Sequence, residues 1–275
     1  MKFFITNLLF LSILLASEQL FIISGVIVNS NNSKKMYKFI DMIEKKSGYK
    51  LKPFYVNSYA QLSEELRKHP NSLAWTCGAP FVEDSIKDAQ QLVAVPLFNG
   101  LPTYSSFIVT RKSEKGKKLI DFKSRIFAYS DLRSNSGFIA PSVILKQNNF
   151  DMKNFFRIKV HTEIHEKSIE AIYRGLADVA AIDEYVWKEY IKANPKFREK
   201  LHVIEKSGPF PFTPIVAGEN VKKEVILKIQ NALVDMDKNE LKTFYNDFLM
   251  DGFVIKNSDF YAPIKENMIY IGIDL

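Results

Sequence analysis

Cysteine is almost missing from this sequence: Cys77 is the only one in 275 residues. An intramolecular disulfide is therefore excluded, which fits a fold held by a large core in an oxidising space. The same scarcity argues against a structural zinc site. His161 and His165 stand four apart, but His161 falls at a strand end, and no further ligand with motif spacing accompanies the pair. No G-x-S-x-G elbow and no phosphate-binding loop ending in Lys-Ser/Thr appears. No short-period repeat or low-complexity tract is present. Basic residues exceed acidic ones by 38 to 31, for a net charge of +7. They are scattered, the densest group being Arg111–Lys118, so a nucleic-acid stripe is not expected, although anionic partners in general are favoured.

What is present is ample apolar material, 47% of the chain, which excludes disorder. At the N-terminus Lys2 precedes an uncharged apolar run from Phe3 to Ala16, the order of a secretory leader. The run is shorter than the about 20 residues that span a bilayer. The expectation is a leader over residues 1–17 and a soluble periplasmic protein. No cysteine lies near the cleavage region, so no lipid anchor is expected.

Beyond the leader, apolar periodicity alternates between the two regular types. Strands are predicted over Leu20–Ile27, Leu51–Val56, Leu73–Cys77, Leu92–Leu97 and Tyr104–Thr110. Helices over Lys35–Lys46 and Tyr59–Lys68, the second capped by Ser58, separate the first three. The pattern then restarts. Strands over Ile126–Ser130, Phe156–Val160, Asp178–Ile182 and Leu201–Ile204 alternate with helices over Gly137–Gln147, Glu166–Arg174 and Glu184–Lys192. A proline-rich stretch, Gly208–Pro214, leads to a strand over Ile215–Ala217, and two helices, Glu224–Met236 and Leu241–Leu249, complete the chain. Two α/β passages imply two lobes, each a mainly parallel sheet flanked by helices, with a cleft between them. The division expected is 18–109 plus 205–275 for lobe one and 110–204 for lobe two.

Ligands of open α/β sheets sit beyond the carboxyl ends of strands, so the strand-to-helix junctions carry the candidates. The strongest is the turn Asp131-Leu132-Arg133-Ser134-Asn135-Ser136-Gly137. A helix N-terminus offers unpaired N–H groups to an anion, Ser134 and Ser136 add hydroxyls, and Gly137 permits close approach. Serine as an ordinary helix cap is the competing reading. His165 opens another helix, where it either donates a ring N–H to an anion or sits on the surface. Asp183 ends a strand and either accepts a proton from an oxyanion or caps the next helix. Tyr59 and Tyr104 stand at a helix start and a strand start, where packing roles are common. Cys77 begins a helix without a neighbouring base and reads as a small buried residue.

Taken in order, these segments resemble the phosphate/phosphite/phosphonate-binding family of ABC transporter substrate-binding proteins. The resemblance runs from Gly48-Tyr49-Lys50 through Tyr59-Ala60, Leu73-Ala74-Trp75, Val95-Pro96 and Pro102-Thr103-Tyr104. It continues with Ser134-Asn135-Ser136-Gly137, Ala140-Pro141, His165, Ser168–Ile172, Gly175, Ala177–Ala180, Asp183 and Gly208–Pro211. It implies a two-lobed type II periplasmic-binding-protein fold, no cofactor and no enzymatic activity. It implies a monomer that closes around a small phosphorus oxyanion and meets an ABC permease in the inner membrane. In such a site Ser134, Asn135, Ser136, Gly137 and His165 grip the phosphoryl oxygens, Tyr59 and Tyr104 reach in from the other lobe, and Asp183 lies at the edge. Asn135 stands where family members often have threonine. Thr213 stands where aminophosphonate binders carry an acid, which removes the partner for a substrate ammonium.

Three other functions fit the same residue types. One is a sensory binding protein that presents its closed form to a receptor or kinase. Another is a phosphate-ester hydrolase using Ser136, His165 and Asp183. The third is a related binding protein for an organic anion such as a sulfonate. The leader makes a direct prediction: N-terminal sequencing of protein from the native host should begin between Ser17 and Leu20. An intact Met1 on cytoplasmic protein would refute export.

Overall fold

The structure is a computed structural model that describes residues 19–25 and 33–275. The leader expectation lies outside the described residues, as do residues 26 and 27 at the end of the first expected strand. No helix among the described residues is long and apolar enough to cross a membrane.

Two sheets organise the chain. In the first, β1 (Leu20–Ser24) runs parallel to β2 (Lys52–Val56) and β3 (Leu73–Trp75). β10 (Ile215–Ala217) then inserts antiparallel between β3 and β4 (Gln91–Leu97), and β11 (Gly252–Val254) closes the far edge beside β4. The second sheet has the order β7 (Ile158–His161), β6 (Ile126–Tyr129), β8 (Val179–Asp183), β5 (Thr103–Arg111), β9 (Leu201–Pro211). β6 runs parallel to both neighbours, whereas β5 pairs antiparallel with β8 and β9.

Side-chain alternation explains why the central strands β6 and β8 of the second sheet are nearly all apolar. Phe107, Val109, Ala128, Ala180 and Ile182 pack on one face, and Ile108, Phe127, Val179 and Ala181 on the other. A strand covered by helices on both sides has no polar face to display.

β5 and β9 overturn one sequence expectation. The division placed at 109/110 and 204/205 falls inside these two strands, which belong entirely to the second sheet. The chain changes sheets between Phe98 and Thr103, and again over Phe212–Pro214. The proline-rich stretch is correspondingly strand rather than loop as far as Pro211. It lies at a sheet edge, where proline's missing N–H removes no ladder bond.

Helices cover the sheets. α1 (Ser33–Ser47) and α2 (Tyr59–Lys68) follow β1 and β2, with Ser58 capping α2 by accepting from the Gln61 N–H at 3.2 Å. α3 (Gly78–Lys87) follows β3. On the second sheet come α4 (Ala140–Gln147), the short α5 (Met152–Phe155), α6 (His165–Tyr173), α7 (Glu184–Ala193) and the short α8 (Phe197–Lys200). α9 (Lys223–Val234) and α10 (Lys238–Phe248) do not end the chain, as the periodicity implied. β11 and α11 (Ala262–Ile271) follow, and α11 packs on α3 and α4. β11 has three residues and α11 little amphipathic contrast, so neither leaves a strong periodic signature.

Phe39 on α1 is the hub of the first core. Its ring centroid lies 5.2–6.0 Å from those of Phe21, Trp75, Phe244, Phe248 and Phe253. Phe39→Ala should therefore lower unfolding free energy by about 3–5 kcal/mol in chemical denaturation, the usual cost of emptying a large aromatic site. A loss below about 1 kcal/mol would show that this cluster is not a structural centre.

Candidate functional site

The carboxyl ends of β2, β3, β6, β7 and β8 all lead into helix starts, and their polar residues are buried together. Ser130, Ser134, Asn135, Ser136, His165, Asp183, Thr76 and Thr213 are each at most 1% exposed, and Tyr59 and Tyr104 at most 2%. Burying so many polar groups is costly unless each finds a partner, so the hydrogen-bond inventory decides their roles.

The serine turn follows β6. Ser134 Oγ accepts the Gly137 N–H at 3.0 Å, so the capping role raised by the sequence is real for this serine. Its hydroxyl proton remains available for donation. The expected helix over Gly137–Gln147 begins differently: Asn135–Ile139 form a wider π turn before α4 starts. Such turns occur often at functional sites. A Cβ on residue 137 would lie 2.7 Å from Ser130 Oγ, 3.0 Å from Ser134 Oγ and 3.1 Å from His165 Cε1. Only glycine lets these three groups converge.

His165 is the first residue of α6 and is buried, not on the surface. Its Nε2 stands 3.3 Å from Ser130 Oγ and 3.4 Å from Ser134 Oγ, while the Asp183 N–H points at Nδ1 from 3.4 Å. Burial depresses the imidazole pKa to about 3, against a smaller opposing effect of the Ala181 backbone. At neutral pH the ring is therefore uncharged and offers one N–H. His161, by contrast, stacks on Tyr129 at 5.3 Å between centroids, apart from this cluster.

Asp183 ends β8 and caps α7, its Oδ1 accepting from the N–H groups of Tyr185 at 2.8 Å and Val186 at 3.3 Å. Burial nevertheless pushes its pKa up to about 7, outweighing those bonds. A second oxygen remains beyond the cap. The Tyr104 hydroxyl accepts from Asn135 Nδ2 at 3.1 Å, and Ser106 Oγ holds the Ser136 carbonyl at 2.7 Å. Tyr104 belongs to the second sheet with the serine turn, not with Tyr59, because β5 lies wholly in that sheet. Tyr59 opens α2 on the first sheet, and its N–H donates to Asp131 Oδ2 at 3.2 Å. Burial raises both tyrosine pKa values well above the usual range, so both stay protonated donors. Thr213 Oγ1 accepts from Trp75 Nε1 at 3.2 Å.

Four atoms of this region, Tyr59 Oη, Thr76 Oγ1, Asn135 Oδ1 and Ser136 Oγ, are buried without a hydrogen-bond partner. The electrostatic neighbours of Tyr59 include Cys77, Tyr104 and Asp183, and those of Tyr104 include Cys77, Asp183, Asn135 and Ser136. Burial raises the Cys77 thiol pKa, so it is an inert wall residue. Thr76 and Ser130 are additions to the sequence-derived set. Both stand just past strand ends, the position that singled out the others. Open cavities lie elsewhere, including one of about 210 Å³ between α1 and α10 lined by Phe39, Met42, Phe244 and Phe248.

The hydrolase arrangement does not form. Ser136 Oγ has no hydrogen-bond partner, and Asp183 meets His165 through its backbone N–H while its carboxylate caps α7. A triad needs the base bonded to the nucleophile and the carboxylate to the base.

Residues 28–261 match the family model described as "ABC transporter, phosphonate, periplasmic substrate-binding protein". The chain belongs to this family. Among its relatives, the phosphonates-binding periplasmic protein of Escherichia coli K12 is 26% identical over 206 residues, covering 73% of this chain. The chain spans 60% of that relative's length. The probable ABC transporter phosphite binding protein PhnD1 of Prochlorococcus marinus MIT 9301 is 23% identical over 88% of this chain and 86% of its own. The structure of PhnD1 from that organism in complex with methylphosphonate superposes with a TM-score of 0.82 at 19% identity, over 94% of this chain and 99% of its own. The fold is thus the two-lobed type II periplasmic-binding-protein fold, and the family's members are binding proteins, not enzymes.

Asp183 gives a test by pH in the ligand-free protein. An ordinary aspartate loses its proton near 3.8, whereas the folded group holds it to about 7. Wild type should therefore lose stability from this group as pH rises from about 4 to about 7, since unfolding releases the carboxyl to ionise. Asp183→Asn keeps a capping oxygen and cannot ionise. The melting-temperature difference between variant and wild type should shift in the variant's favour between pH 4 and pH 8. A difference constant across that range would contradict the burial reading.

Proposed function

We propose that the protein is exported to the periplasm, binds a small phosphorus oxyanion between its two sheets, and presents the closed form to an ABC permease in the inner membrane. Phosphate, phosphite and small phosphonates are the ligand class. The unit is a monomer, and no cofactor takes part. One observation carries the reading: Tyr59 Oη and Ser136 Oγ, from elements on different sheets, are both buried without a partner in the same polar cluster. Hydroxyl donors in that condition fit a ligand rich in acceptors, and an oxyanion supplies several on one centre.

Ser134, Asn135, Ser136 and Gly137 form one wall of the proposed site, His165 and Asp183 a second, Tyr59 and Tyr104 the remainder. These side chains include no lysine or arginine, so neutral dipoles would balance the anionic charge, and the prepared donors need little rearrangement. Asp183, titrating near neutrality, suits a ligand that keeps one protonated oxygen. Family membership supports the phosphonate end of the range, and the name of the Prochlorococcus relative supports phosphite as an alternative. Thr213 offers no carboxylate, and its oxygen already accepts the Trp75 indole N–H, which disfavours an aminophosphonate. Lobe movement would turn on the two connections between the sheets, over 98–103 and 211–215.

Charge-assisted hydrogen bonds contribute roughly 1.5–3 kcal/mol each, so losing one should weaken binding by about ten- to a hundredfold. Calorimetry with phosphate, phosphite and methylphosphonate should show that loss for Ser136→Ala and for His165→Ala. Ser136→Ala should change the ligand-free melting temperature little, because its hydroxyl approaches Asp183 and Tyr104 without forming a well-aligned hydrogen bond. Unaltered affinity for every tightly bound anion of the panel would displace the site from this cluster.

A further inference from the structure

The serine turn carries a cation that the binding chemistry does not use. Arg133 lies one residue before Ser134, yet its side chain leaves the second lobe's turn and spreads across α2 and α3 under the first sheet. Its Nε donates to Glu83 Oε2 at 3.0 Å, one terminal nitrogen to Ser63 Oγ at 2.7 Å and the Tyr59 carbonyl at 3.3 Å. The other terminal nitrogen meets Asp84 Oδ1 at 2.5 Å and the Pro80 carbonyl at 3.5 Å. The guanidinium therefore occupies its full fork, between two carboxylates of one helix and the first turns of two. The ion pairs are shielded: the Arg133 side chain is 22% exposed, Glu83 24% and Asp84 4%.

Asp131, two residues earlier, reinforces the contact. Its Oδ2 accepts the Tyr59 N–H at 3.2 Å while Oδ1 accepts the Arg133 N–H at 2.7 Å. Both backbone groups of Tyr59, the first residue of α2, are thus held by the same short loop, its N–H by Asp131 and its carbonyl by Arg133. Tyr59, like Thr76, is a side chain that the first sheet sends into the buried cluster.

Asp84 has a local support that does not depend on Arg133. Ser63 Oγ and Gln90 Nε2 both donate to its Oδ2, at 2.5 and 3.2 Å, and all three lie under the first sheet. The acceptor is therefore held in place before the other lobe arrives, and a fixed partner costs little ordering when the lobes meet.

We propose that Arg133 is an interlobe latch, a positioning residue that holds the closed form together and sets Tyr59 against the serine turn even before ligand binds. The inference rests on the two-lobed reading of the site, and its primary test needs no ligand. Separating the lobes would remove the Arg133 cation from Glu83 and Asp84 and release the Tyr59 N–H from Asp131 and its carbonyl from the guanidinium. The latch thus biases an open–closed equilibrium, and that bias is added to whatever the anion contributes.

The experiment measures lobe separation by paired spin labels at Glu64→Cys on α2 and Lys167→Cys on α6, both exposed. Cys77 is buried and stays unlabelled. Ligand-free protein should show a substantial short-distance population. Arg133→Met should lower the closed-to-open ratio by about tenfold or more, as expected when one partner of a shielded charge pair is lost. Arg133→Lys, which keeps the charge but not the fork, should fall between. A merely structural role would lower the melting temperature of Arg133→Met without moving the distances. In a second arm, inorganic phosphate, phosphite and methylphosphonate are added to both proteins, and each anion that binds wild type should leave the Arg133→Met variant faster. A wholly open ligand-free wild type, or equal distance distributions in wild type and Arg133→Met, would overturn the latch. Failure of all three anions to bind wild type would instead count against the proposed ligand class and leave the distance result to judge the latch.

Discussion

The structure depends on one constraint above others: polar groups removed from water must be paired. Strand ends are where a parallel sheet delivers its next polar residues, and here five of them open towards helix starts in one region. The fold satisfies most of these groups internally. Ser134 and Asp183 cap helices, Asn135 donates to Tyr104, Thr213 takes the Trp75 indole N–H, and Asp131 holds the first turn of α2. The unpartnered Tyr59 and Ser136 hydroxyls stand out against that background. Thr76 Oγ1 and Asn135 Oδ1 share that condition, so the unpaired groups of this region come from both sheets.

The same burial sets the electrostatics. Desolvation keeps His165 neutral and drives the Asp183 proton affinity up towards neutrality, so near pH 7 Asp183 is shared between its neutral and charged forms. A cationic site would bind any anion strongly and discriminate poorly. Neutral donors in fixed positions discriminate through geometry and protonation state. Arg133 of the same turn pairs with Glu83 and Asp84 of the other lobe, so under the proposed latch closure and recognition would fall to different groups.

Much of this was legible beforehand where local rules are strong. The Ser58 cap and the span of α2, the stripe of α1, and the strand-to-helix order of both passages follow from short-range periodicity and capping. The junction rule led to Ser134, Asn135, Ser136, Gly137, His165 and Asp183, all of which the fold buries in one region. The rule also applied to Thr76 and Ser130, but a lone hydroxyl after a strand carries no signal in sequence. The lobe division at 109/110 and 204/205 was misplaced because β5 and β9 are long and antiparallel. Their pairing partners are about a hundred residues apart, and nothing local marks where one sheet gives way to the other. The strand character of Gly208–Pro211 was hidden for a related reason: proline argues against a strand until its edge position is known.

The sequence by itself determined the α/β class, the repeated strand–helix order, the absence of disulfides and the set of polar residues at strand ends, because these follow from composition and from interactions within a few residues. The tertiary structure alone decided which of those residues meet, which hydroxyls are left unpaired, and that Arg133 reaches across to Glu83 and Asp84 rather than to solvent. The shifted proton affinities of His165 and Asp183 belong with these, since desolvation arises from neighbours far apart in the chain. Periodicity fixes which way a side chain faces on its own element, but only the packing of elements fixes what it faces.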